Sequence, residues 1–127
     1  MNTYLSPIGY DSTRVTRPVL SEGIDKGDQV ILLRPAGNEN DDRAMEAIED
    51  VKRIINQIHP DVNVTKCMIP IGNSQVAVLE CSELIIKLDG KLVVNFGGGP
   101  RELYLPLVTA TLAHPDSVDK TLQFNDL

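Results

Sequence analysis

Four short extended, apolar runs alternate with four helical patterns along the chain, and this alternation constrains the fold more than any other feature of the sequence. Asn2 to Ile8 reads as a first strand, ended by the turn-rich segment Gly9-Tyr10-Asp11-Ser12-Thr13. A short helix follows from Ser12 or Thr13 to Glu22 and closes at Gly23. Pro18 lies inside it, which predicts a late start or a bend there. Gln29 to Leu33 is a second, β-branched strand, ended by Arg34-Pro35-Ala36-Gly37. The next helix is the clearest element. Ala44, Ile48, Val51, Ile55 and Ile58 form one apolar stripe, Asn40 or Asp41 can cap it, and Pro60 stops it.

Asp61 to Met68 alternates Val62 and Val64 with Asn63 and Thr65, the pattern of a half-exposed strand at a sheet edge. Asn73 or Ser74 caps a third helix carrying Val76, Ala77, Leu79, Leu84, Ile85 and Leu88, which ends at Gly90. Leu92 to Phe96 is a fourth strand, and Gly97-Gly98-Gly99-Pro100 follows it directly. Arg101 to Ala113 is a fourth helix, in which Pro106 must lie early or kink it, and Thr121 to Phe124 can begin a fifth strand. Repeated strand–helix units with short connections call for a mainly parallel sheet with helices on both faces. Right-handed crossovers then give a Rossmann-like three-layer α/β fold, with the third strand at one edge and the first and fourth adjacent at the centre.

A chain of 127 residues is expected to form one domain spanning residues 1–127, and it can bury a sizeable core without a disulfide or metal staple. The net charge of −6 and the scarcity of aromatics, 4% with no Trp, argue against a broad duplex-DNA face and against an aromatic stacking platform. Cys67 and Cys81 fit no zinc spacing and read as reduced, buried thiols. No signal-peptide succession and no run of about 18 apolar residues is present, so a cytoplasmic location away from membranes is expected.

In open parallel sheets, ligands bind at the carboxyl ends of the strands where strand order reverses. Here that point is flanked by Gly9-Tyr10-Asp11-Ser12-Thr13-Arg14 and by Gly97-Gly98-Gly99-Pro100-Arg101-Glu102. Both loops run into helix N-termini, whose N–H groups and dipole favour an anion. Three consecutive glycines permit close approach of backbone to a ligand, or else a tight strand–helix turn with no ligand. Arg101 opposes the dipole of its own helix, which points either to an anion or to a solvated surface cation. Ser12 and Thr13 can cap the helix or contact phosphate. Tyr10 can stack on a base or pack, and Asp11 can bond a ribose hydroxyl or cap the helix. Arg34 is a weaker candidate. His59 and His114 stand before prolines at helix ends, where they partner the dipole.

The first loop is not the glycine-rich dinucleotide fingerprint, and the glycine loop lacks the Lys-Ser/Thr of a nucleotide triphosphatase. No Ser–His–Asp set or metal cluster follows from the spacing, so no metal and no cofactor are called for. At these two loops the chain resembles the CRISPR-associated Rossmann fold (CARF) family, above all the N-terminal sensory half of archaeal CRISPR-linked winged-helix regulators. The resemblance is carried by strand-Gly9-Tyr10-Asp11-Ser12-Thr13-Arg14 and by Asn95-Phe96-Gly97-Gly98-Gly99-Pro100-Arg101, and covers the whole chain. It implies a homodimer that binds a cyclic oligoadenylate second messenger, expected to be cyclic tetra-adenylate, on its two-fold axis. The ring would be lined by Gly9, Tyr10, Asp11, Ser12, Thr13 and Arg14 from one loop and by Gly97, Gly98, Gly99 and Arg101 from the other. The family's winged-helix DNA-binding domain does not follow within these residues, so the chain is expected to be a stand-alone sensor or the sensory part of a longer protein, with DNA contact only through an absent or separate effector domain. Some members of the family cleave the ring. Ser12 and Arg101 would then be the catalytic pair, but Arg is a poor proton donor, and binding is favoured over catalysis. A ligand-free dimerisation scaffold is the remaining alternative. The fourth helix, with Leu103, Tyr104, Leu105, Leu107, Val108 and Leu112, is more apolar than sheet coverage requires, which predicts a dimer.

Overall fold

The computed structural model describes residues 1–37 and 39–122. Five strands form one sheet in the order β3-β2-β1-β4-β5. They are β1 (Asn2–Pro7), β2 (Gln29–Pro35), β3 (Asn63–Ile69), β4 (Lys91–Asn95) and β5 (Lys120–Leu122). Every neighbouring pair is parallel, and the central register sets Leu5 against Val94 and Ile31. The helices are α1 (Thr13–Glu22), α2 (Asp42–Ile58), α3 (Ser74–Lys87) and α4 (Arg101–Ala113), with a 3-10 turn at Pro115–Ser117. This is the Rossmann-like α/β architecture that the strand–helix alternation predicts, with β3 at the edge and β1 beside β4.

The layers follow from the two-residue period of the strands. Tyr4, Val30, Leu32 and Val93 point to one face and pack against Val15 and Val19 of α1 and Ile48, Val51 and Ile55 of α2. Leu5, Ile31, Leu33, Leu92 and Val94 point to the other, against Cys81 and Ile85 of α3 and Leu103 and Leu107 of α4. Each such buried aliphatic side chain contributes roughly 1.5–3 kcal/mol. The edge strand β3 is covered less completely, which leaves Cys67 half-buried there while Cys81 is fully buried. The expectation of two buried thiols therefore holds only for Cys81, whose pKa burial pushes up to about 11.

Several element ends differ from expectation. β2 runs on through Arg34 and Pro35 because β3 pairs with both residues. α3 stops at Lys87, three residues short of Gly90. α2 is capped by Asp41, whose carboxylate accepts from the N–H groups of Arg43 and Ala44, and α3 by Asn73, which accepts from Gln75 and Val76. Pro18 neither delays nor ends α1, which runs unbroken from Thr13. The fifth strand includes Thr121 and Leu122, and the rest of its expected span lies outside the described residues. His59 and His114 stand at the C-caps of α2 and α4, as their place before prolines suggested.

Candidate functional site

Strand order reverses between β1 and β4. β2 and β3 are laid down on one side of β1, and β4 and β5 on the other. The loops leaving β1 and β4 therefore face each other at the carboxyl end of the sheet, where a ligand is expected in such folds. Between them lies a cleft of about 530 Å³. Gly9, Tyr10, Asp11 and Arg14 line it from the first loop, and Gly97, Gly98, Gly99 and Arg101 from the second. Phe96 and Tyr104 complete the wall, their rings meeting edge to face at 6.2 Å. Ser12 and Thr13 are not among the lining residues.

Side-chain capping separates the two helix starts. At α1 the cap acceptor is Asp11, which takes the Thr13 N–H at 3.0 Å and the Thr13 hydroxyl at 2.6 Å. Ser12, at the N-cap position, makes no capping bond through its side chain. The Thr13 hydroxyl and amide, with Arg14 further off, hold the Asp11 carboxyl below its usual range. A carboxylate thus already occupies the anion position at α1. At α4, by contrast, Pro100 stands at the N-cap and no side chain caps the helix. Arg101 opens this helix, exposed beside its uncapped N-terminus. Of the two helix starts, α4 is the one that can serve an incoming anion. Arg14 faces the same cleft from across, its Nε 3.9 Å from Asp11.

The glycines divide in their roles. Gly99 has φ of +90°, and a Cβ there would fall 2.4 Å from the Pro7 Cβ. A Cβ on Gly98 would meet the Arg14 Cβ at 3.0 Å. Close packing of the second loop onto the end of β1 therefore requires Gly99, while a side chain at Gly98 would need the start of α1 to give by a few tenths of an ångström. Both glycines also line the cleft, so tight packing on one side and an open backbone on the other meet in the same loop.

The first loop is tied on its other side. The Tyr10 hydroxyl donates to Asp41 at 2.7 Å, and the Arg43 guanidinium stacks over the Tyr10 ring at 4.5 Å. The same Asp41 carboxylate raises the Tyr10 pKa, while the Tyr10 hydrogen bond lowers that of Asp41. Arg34 is buried beneath the loop. It donates to the Ile8 carbonyl at 2.7 Å and lies 3.6 Å from Asp41. A smaller cleft of about 300 Å³, which includes Arg34, Asp41 and Glu102, adjoins this side. Sequence reasoning ranks Arg34 low and passes over Asn95, Phe96 and Tyr104 as individual site residues. The available signal was a polar Asn closing the apolar run Leu92-Val93-Val94, since a buried polar residue at a strand end must find partners.

Among the described residues, no group of three or more His, Cys, Asp and Glu side chains could hold a metal, and no helix is long and apolar enough to cross a membrane. The fold resembles part of Enterococcus italicus Csm6, solved with cyclic hexa-2′-fluoro-hexa-dAMP, at a TM-score of 0.70 and 16% identity over 98% of this chain and 34% of that one. It also resembles part of Can2 from Sulfobacillus thermosulfidooxidans, solved with cyclic tetra-adenylate, at a TM-score of 0.61 and 16% identity over 89% of this chain and 30% of that one. The chain thus spans about a third of the length of either protein. No curated protein sequence matches it. The model of the Csa3 CRISPR-associated Rossmann-like domain matches residues 2–122, nearly the whole chain, and the chain belongs to that family.

Proposed function

We propose that this domain is a sensor that binds a cyclic oligoadenylate, with cyclic tetra-adenylate as the first candidate, across the two-fold axis of a homodimer. The observation that carries this reading is the cleft at the strand-order reversal. The uncapped start of α4, Arg101 and Arg14 face it together, in a protein whose overall net charge is −6. Such a site can hold a compact phosphate-rich ring, because two guanidinium groups and an uncapped helix start meet there against the single carboxylate of Asp11. The aromatic pair Phe96 and Tyr104 adds a surface against which a base can stack. Both structural neighbours were solved with cyclic adenine nucleotides, which favours the same ligand class here.

The dimer is supported by α4. Leu103 and Leu107 face the core, whereas Tyr104, Leu105 and Leu112 are exposed, with Leu105 at 68% and Leu112 at 75%. Tyr104 belongs to both the cleft wall and this apolar face, so a partner seated there would bring a second cleft beside the first. A role in CRISPR defence regulation accords with the family. Ring cleavage is the weaker reading, because the Ser12 hydroxyl lies outside the lining of the cleft.

The test is titration calorimetry with cyclic tetra-adenylate, cyclic hexa-adenylate and linear tetra-adenylate, followed by chromatography of the recovered nucleotide. Tight retention of one intact ring, at one ring per two chains, is the expected result. No heat with either ring would overturn the reading, and recovery of linear product would replace it with the nuclease.

A further inference from the structure

Asn95 ends β4 and is fully buried. Its carboxamide bonds to three separate segments. Nδ2 donates to the Ser6 hydroxyl at 2.9 Å and to the Arg14 carbonyl at 3.0 Å, while Oδ1 accepts the Gly97 N–H at 3.1 Å. The partners dictate the orientation of the amide, since a backbone carbonyl can only accept and a backbone N–H can only donate. One side chain therefore joins the start of α1, at Arg14, to the first glycine of the second loop.

That the Arg14 carbonyl accepts from a side chain has a reason legible in the sequence. In a regular helix it would accept from the N–H of residue 18. Residue 18 is Pro, which has no N–H and whose ring pushes against the carbonyl four residues back. α1 nevertheless runs unbroken from Thr13 to Glu22, and the Arg14 carbonyl accepts from the Asn95 amide. Arg14 lines the first side of the cleft and Gly97 the second, so this bond spans the site from beneath.

We propose that Asn95 and Pro18 are a positioning pair. Pro18 releases the Arg14 carbonyl, Asn95 takes it, and the two loops of the cleft are thereby held at the separation that binding requires. The affinity part of this proposal rests on the ligand site proposed above.

The experiment compares Asn95→Ala, Pro18→Ala and the double variant in three measurements: amide hydrogen exchange at Gly97 without ligand, thermal melting, and the Kd for cyclic tetra-adenylate. Asn95→Ala should speed Gly97 exchange at least tenfold, lower the melting temperature and weaken binding at least tenfold. Pro18→Ala supplies an N–H that competes for the Arg14 carbonyl, so it should weaken binding without lowering the melting temperature. In the double variant, the backbone N–H gained at position 18 takes the place of the Asn95 donor at the Arg14 carbonyl. Melting temperature should then recover toward wild type while affinity does not. A purely structural Asn95 would have affinity recover along with stability, and that result overturns the proposal. Unchanged Gly97 exchange in Asn95→Ala overturns it as well. If Asn95→Ala does not fold, Pro18→Ala alone decides, and unchanged affinity there is the refuting outcome. A wild-type protein that ignores the ring refutes the ligand reading and the affinity part with it, while Gly97 exchange still decides whether Asn95 ties the loops.

Discussion

Gly99 lies so close against Pro7 that a Cβ on the glycine would stand 2.4 Å from the Pro7 Cβ and 2.9 Å from its carbonyl carbon. The contact is with backbone and a rigid ring, with no flexible side chain able to yield, and Gly99 also holds a φ of +90°. Gly99→Ala should therefore cost about 1–3 kcal/mol through overpacking, together with the strain of a side chain at positive φ. Chemical denaturation measures this directly. A loss under about 0.5 kcal/mol would mean that the second loop relaxes away from β1 at little cost.

Arg101 tests the electrostatic argument for the ligand. It is exposed in the first turn of α4, where a cation opposes the dipole of its own helix. Arg101→Ala should leave folding intact and weaken binding of cyclic tetra-adenylate at least tenfold. A charge-assisted contact to phosphate is worth about 1.5–3 kcal/mol, and roughly 1.4 kcal/mol is a factor of ten. Unchanged affinity in a folded variant would move the site onto backbone amides alone.

The apolar face of α4 predicts an assembly. Leu105 and Leu112 are seven residues apart, both largely exposed, and lie on one side of the helix. Replacing both with Glu should convert a dimer to a monomer without loss of helical signal, because neither side chain is part of the core. Light scattering of both proteins at micromolar concentration checks it. A wild-type monomer, or a variant that remains dimeric, would place any interface elsewhere.

Acid should loosen the first loop before it unfolds the core. Asp11 is held below its usual range first by the Thr13 hydroxyl and amide, and Asp41 first by the Tyr10 hydroxyl. Both carboxyls are thus depressed in the folded state. Their contribution is present above the unfolded aspartate value, about 3.9, and is lost as pH falls through the lower folded values. The expected signature is faster amide exchange at Thr13, Arg43 and Ala44 below about pH 4, ahead of β1 and β4. Uniform loss of protection across the chain would show that these caps carry no local stability.

The division between what the chain shows in one dimension and what it shows only when folded has a physical basis. The four strand–helix units, the edge position of β3, the placement of β1 beside β4 and the two loops of the cleft follow from periodicities and from the handedness of crossovers. These are local or generic properties, readable wherever residues such as Ile48, Val51 and Ile55 repeat at helical spacing or Val62 and Val64 alternate with polar neighbours. The roles of individual polar residues were not readable in the same way. Asp11 rather than Ser12 caps α1, Asp41 joins Tyr10 to Arg34, and Asn95 reaches Arg14 across 81 positions of sequence. A hydrogen bond is short and directional, so its partner is chosen by the packing of segments far apart in the chain. The same holds for the glycines: the sequence by itself marked a loop of unusual backbone freedom, and only the folded chain set Gly98 against Arg14 and Gly99 against Pro7, because a close approach depends on segments far apart in sequence.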